Sequence, residues 1–196
     1  MKPSATLIGM LAAAALLAGC ADDPPTAPAA AGPSLGYQLP LPIPRVVQVA
    51  TRVAPLPDGV EASAWIGPRG GTLAVPEAGL IVVVPRGAVS TSTLFAARAL
   101  PGSMVAYEFE PHGATFAEPV RIQQQFAGPH AVDLSGGMSS FEGGYFPDAA
   151  LLDATANQAL VSELLPATVD PANHYVFFTV HHFSGYLLAS GRGGAQ

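Results

Sequence analysis

One tripeptide in this 196-residue chain could do chemistry on its own backbone: His182-Phe183-Ser184. A hydroxyl there directly follows a carbonyl that the preceding imidazole could polarise, and a hydroxyl becomes a nucleophile only when a base stands beside it. In an undistorted strand residues two apart share a face, so His182 and Ser184 would meet. Other groupings offer less. His181 and His182 are adjacent and point to opposite faces, which prevents joint chelation. His174 could share a face with His182, but no Cys or carboxylate stands at recognisable ligand spacing, so no metal site is expected. Glu108 and Glu110 both face solvent from one strand, whereas glycosidase carboxylates flank a cleft from separate elements. No Gly-x-Ser-x-Gly elbow accompanies the serines. Trp65, Tyr145 and Phe146 could line a glycan or peptide groove, with core packing the simpler reading of each. Gly70-Gly71 does not follow a strand into a helix, as a phosphate loop requires, so it reads as turn chemistry, and no cofactor is expected.

The elements that must position these residues are strands. Asn173 to Ser190 is the longest aromatic and β-branched run and reads as the central or closing strand of an all-β domain. Val105 to Pro111 places Val105, Tyr107 and Phe109 opposite Glu108 and Glu110. Val120 to Phe126 places Val120, Ile122, Gln124 and Phe126 opposite Arg121, Gln123 and Gln125. The connection His112 to Pro119 is too short for a packed helix and predicts a corner between sheets or a wide hairpin. Val46 to Val53 predicts the opening strand. Leu80 to Pro85, apolar on both faces, predicts a strand in the middle of a sandwich. Gly128 to Gly144, with Ser135-Gly-Gly and Glu142-Gly-Gly, predicts a long flexible loop, while Tyr145–Leu152 and Ala159–Pro166 are ambiguous.

Composition fits this reading. Charged residues are 11% and hydrophobic ones 49%, with 21 Gly and 20 Pro to turn many short strands. The net charge of −6, with Lys2 as the only lysine, leaves no basic patch for nucleic acid. Residues 1–19 form a secretory leader whose apolar run is too short to span a bilayer. It ends in Leu17-Ala18-Gly19-Cys20, which resembles the bacterial lipobox. That resemblance implies acylation of Cys20, palmitate included, and attachment to the membrane as a lipoprotein. The segment 20–45, rich in Pro and Ala, predicts a disordered tether, and 191–196 a disordered tail. Ala21, not Asp, follows the cysteine, which favours the outer membrane over the inner.

Four stretches within 46–190 resemble the zonula-occludens and uncoordinated-five domain. They are Gly70-Gly-Thr-Leu73, Leu80-Ile-Val-Val-Val-Pro-Arg-Gly-Ala-Val89, Tyr107-Glu-Phe-Glu-Pro-His-Gly-Ala-Thr-Phe-Ala-Glu-Pro-Val120 and His182-Phe-Ser-Gly-Tyr186. The resemblance implies an antiparallel, two-sheet β-sandwich, immunoglobulin-like in appearance, that docks proteins and needs no cofactor. Some members cut themselves at His-Phe-Ser, and the matching residues are His182, Phe183 and Ser184. The route would be attack of the Ser184 hydroxyl on a strained Phe183 carbonyl with His182 moving the proton, then hydrolysis of the ester. The expectation is an uncut chain: a lipid-anchored, non-catalytic binding or structural module on the periplasmic or outer face of a bacterial membrane. Its partner would be an envelope protein or glycan. Self-cleavage at Phe183-Ser184 and a carbohydrate-binding accessory role are the alternatives.

Overall fold

Runs of β-branched and aromatic residues cut short by Gly and Pro give many brief strands, and the computed structural model contains sixteen of them among residues 43–128, 131–134 and 141–192, which it describes. The leader, Cys20 and the tether up to residue 42 lie outside the described residues, as do 129–130, 135–140 and 193–196. In chain order the first strands are β1 (Arg45–Val49), β2 (Thr51–Leu56), β3 (Val60–Ile66), β4 (Gly71–Val75), β5 (Leu80–Val84), β6 (Thr93–Ala99), β7 (Gly102–Met104) and β8 (Ala106–Glu110). Then come β9 (Thr115–Gln125), β10 (Glu142–Phe146), β11 (Leu152–Asp153), β12 (Gln158–Val161), β13 (Glu163–Pro166), β14 (Thr168–Asp170), β15 (Tyr175–His182) and β16 (Gly185–Arg192).

Every pairing among them is antiparallel. Nine strands form one sheet along β11-β12-β1-β16-β8-β6-β3, with β10 joined to β16 and β13 to β10. Five form the second, β14-β15-β9-β5-β4, and β2 and β7 make a two-stranded ribbon. The architecture is an antiparallel β-sandwich. Leu73, Val82, Ile122, Phe178 and Val180 of the smaller sheet share one core with Phe95, Tyr107, Phe109 and Tyr186 of the larger.

The period-two segments behave as their alternation predicts. Tyr107 and Phe109 are fully buried while Glu110 is exposed, and Val120 and Ile122 face in while Arg121 faces out. Gln124, on the same apolar face, is 2% exposed and hydrogen-bonded, as a buried amide must be. Its Oε1 accepts from the Tyr107 hydroxyl, and its Nε2 donates to the Ala78 carbonyl at 3.2 Å and the Gln125 carbonyl at 2.8 Å. Burial pushes the Tyr107 phenol up to about 12, against the pull of the Arg52 guanidinium beside it. β5 lies between β4 and β9, inside its sheet, as its apolar run implies.

Three expectations are corrected. Asn173–Ser190 is not one strand: β15 ends at His182 in the smaller sheet and β16 starts at Gly185 in the larger. Both faces of β16 are buried, with Tyr186 and Leu188 in the main core and Leu187 and Ala189 in a second cluster with Val47, Phe146 and Val161. That double burial makes β16 apolar on both faces from Tyr186 to Ala189. Val46–Val53 divides in the same way at Ala50, between β1 and β2. Glu142-Gly-Gly is strand β10, not loop: Cβ atoms on Gly143 and Gly144 would stand 2.6 Å from the Phe178 ring and 2.7 Å from Leu187. These glycines make room for their neighbours rather than freeing the chain.

Candidate functional site

Two corners at which the chain changes sheet lie side by side. One is Phe183-Ser184, between β15 and β16. The other is Pro111–Ala114, between β8 and β9, entered through a cis Glu110–Pro111 bond. Backbone hydrogen bonds join them. Gly113 N–H donates to the Phe183 carbonyl at 2.8 Å, Phe183 N–H to the Ala114 carbonyl at 2.8 Å, and Phe109 N–H to the Ser184 carbonyl at 3.0 Å. The Phe183 ring is wholly buried among Phe95, Phe109 and Phe116, with centroids 5.3, 5.0 and 4.7 Å away. The sequence signature thus sits where two strand exchanges are fastened together.

At this corner the imidazole beside Ser184 is His112, whose Nδ1 is 3.5 Å from the Ser184 Oγ. Ser184 is buried, His112 is exposed, and the His112 backbone N–H donates to Glu110 Oε2 at 2.8 Å. Nucleophile, base and a carbonyl held by an N–H group form the minimal set for acyl transfer. For the hydroxyl to donate, the ring proton of His112 must be on Nε2.

His182, the base expected from the tripeptide, packs elsewhere. Its ring is edge-on to Tyr145 at 5.0 Å, and the Tyr186 hydroxyl is 3.2 Å from Nδ1 and 3.3 Å from Nε2. An oxygen equally close to both nitrogens stands over the ring, out of reach of either in-plane lone pair, and it also lies 3.0 Å from the His182 carbonyl, to which it donates. Burial raises the Tyr186 phenol well above its ordinary value, and Glu163 and Tyr145 add to the rise. Because the strand breaks at Phe183, the same-face rule that paired His182 with Ser184 does not apply. His112 carried no signal of its own, standing 72 residues from Ser184 in a corner read only as a connection.

The remaining candidates are dispersed. His181 is exposed, and His174, at φ 59°, sits edge-on to Phe126. Among the described residues no three His, Cys, Asp or Glu side chains gather closely enough to hold a metal. Phe146 is core and Tyr145 half-buried. Trp65 departs from its core reading: it is 71% exposed on the outer face of β3, directly across from Leu94, itself 46% exposed. Glu108 and Glu110 lie on that outer face, and Glu108 Oε2 is 3.8 Å from Arg98 Nη1. Compared with known proteins, the chain matches no family model and no curated sequence.

Proposed function

We propose that this chain is a non-catalytic binding module of a bacterial cell envelope, anchored through acylated Cys20 and held off the lipid by the proline-rich tether. The lipobox sequence supports the anchor, Ala21 after the cysteine supports the outer membrane, and the resemblance to docking domains supports the role. One observation carries the binding reading: Trp65 and Leu94 stand exposed side by side. A tryptophan buries about 150–250 Å². At ~25 cal/mol per Å², the exposed 71% of Trp65 represents roughly 3–4 kcal/mol of transfer free energy that folding leaves unused. A partner covering the indole would collect it.

The test places a photo-cross-linking residue at position 65 in living cells, and another at exposed Thr179 on the opposite sheet. Cross-links from 65 and not from 179 are expected, and equal yields would overturn the reading. Cys20→Ser should abolish fatty-acid labelling and release the chain from the membrane fraction.

A second reading, self-cleavage, is favoured by the 3.5 Å approach of His112 Nδ1 to Ser184 Oγ together with the Gly113 N–H on the Phe183 carbonyl. Oγ would add to the Phe183 carbonyl carbon as its proton passes to His112. The C–N bond would then break, with that proton moving to the Ser184 amine, and water would hydrolyse the ester to a Phe183 carboxylate and a free hydroxyl. The intact mass of the purified chain decides between the two. Fragments ending at Phe183 and beginning at Ser184, lost in Ser184→Ala and His112→Ala but retained in His182→Ala, would replace the first reading.

A further inference from the structure

We infer that β3 accepts an extended, arginine- or lysine-bearing peptide as an added strand, an inference that rests on the binding-module reading and names its partner class. β3 ends the nine-stranded sheet and, among the described strands, pairs only with β6. The other path-end strands are shorter: β11 has two residues, β14 three and β4 five, against seven for β3. The β3–β6 register runs without a bulge from Val60–Ala99 to Ile66–Thr93, and β3 holds neither Pro nor Lys. Those are the devices that normally blunt an edge against strand addition. A long, regular edge without Pro, Lys or a bulge, whose one charge is Glu61, is a template whose backbone groups can pair with an incoming strand.

The outward side chains of β3 select the occupant. Glu61, Ser63 and Trp65 alternate on the outer face, spanning about 13 Å. Across the sheet, Trp65 neighbours Leu94; Ser63 neighbours Ala96 and then Glu110; Glu61 neighbours Arg98 and then Glu108. Beside Trp65 and Ser63, the side chains of Glu61, Ala96, Arg98, Glu108 and Glu110 line a hollow of about 150 Å³, with three carboxylates and one guanidinium. Arg98 reaches Glu108, and among the described residues Glu61, beside the open edge, makes no ion pair. A second copy of this chain, with net charge −6 and its only lysine at position 2, brings further negative charge to this face. A strand whose basic residues are four apart with a small residue between them matches it. One cation meets the Glu61 carboxylate, and the other lies over the Trp65 indole, the aromatic face that attracts cations best.

Trp65 is the only tryptophan, so its fluorescence reports on this edge alone. The experiment titrates the heptapeptide Thr-Arg-Val-Ser-Val-Arg-Thr into the full-length lipidated protein in detergent. A saturable change in indole emission is expected, weakened about 3–10-fold by Glu61→Gln and further by salt. Of two peptides N-methylated at alternate nitrogens, only the one that leaves the inward N–H groups free should bind. No change up to ~1 mM peptide, an equal response to a peptide with Glu in place of Arg, or a response to neutral oligosaccharides instead would overturn the inference. So would dimerisation of the free chain that Ser63→Pro abolishes. Each of these leaves the binding module standing if position 65 still cross-links in cells, and loss of those cross-links removes the module itself.

Discussion

Replacing Phe183 by alanine removes a ring with 0% exposure that touches three other rings, at centroid distances of 5.3, 5.0 and 4.7 Å. Truncating a buried phenylalanine costs about 3–5 kcal/mol, and the cost rises as the surroundings fail to collapse. Here collapse is restrained, because the Phe183 and Ser184 backbone is hydrogen-bonded to Ala114 and Gly113 of the other corner and to Phe109 of β8. The upper half of the range, roughly 4–5 kcal/mol, follows. In a domain of this size each kcal/mol moves Tm by about 2–4 °C, so a fall on the order of 8–20 °C is expected. Thermal unfolding followed by far-ultraviolet circular dichroism measures it. Trp65→Ala is the control, with a change under about 1 kcal/mol because its side chain is already in water. A Phe183→Ala loss below about 1.5 kcal/mol, or a Trp65→Ala loss equal to it, would refute the placement of the two rings.

Gly185→Ala drives a Cβ into the Phe146 ring, and its carbonyl oxygen lies only 2.6 Å away, so a loss of about 1–3 kcal/mol is expected by urea denaturation. Tyr107→Phe leaves the Gln124 Oε1 buried without its donor and should cost about 1–3 kcal/mol at neutral pH, whereas Gln124→Leu, which also strips the Ala78 and Gln125 carbonyls of their donor, should cost at least as much. The Tyr107 phenol titrates at about 12 in the folded chain against 10.0 unfolded, so the unfolded state loses its proton first. Stability is therefore full below pH 10 and falls by roughly 3 kcal/mol towards pH 12. Tyr107→Phe should flatten that alkaline fall in unfolding curves measured across the window, with a residue left by Tyr186, whose phenol is also raised.

Sequence periodicity made some of this legible. Tyr107 and Phe109 against Glu108 and Glu110 gave the inner and outer faces of β8, because each strand there has one wet side. Where both sides are dry, as in β16, alternation vanishes, and the polar His181, His182 and Ser184 around Phe183 did not by themselves mark the passage from β15 to β16. Gly143 and Gly144 misled for a related reason: glycine marks loops when it supplies freedom, but here it yields space to Phe178 and Leu187. Trp65 looked like core because large aromatics usually are, but it alternates with Glu61 and Ser63 on the outer face of β3, which no second layer covers. The approach of His112 to Ser184 depends on how two distant corners meet, which local patterns do not encode.

The seam between the corners also bears on how the chain carries load. β16 is gripped along one edge by β8 and then β1, and along the other by β10. Because Val47 stands opposite Arg192, the chain entering β1 and the chain leaving β16 lie at the same end of that ladder, and tension between them would peel β1 from β16 pair by pair while β8 and β10 still hold the rest of the strand. Severing the peptide link ahead of Ser184 would leave that grip untouched, so the last strand would stay seated and come away only in denaturant.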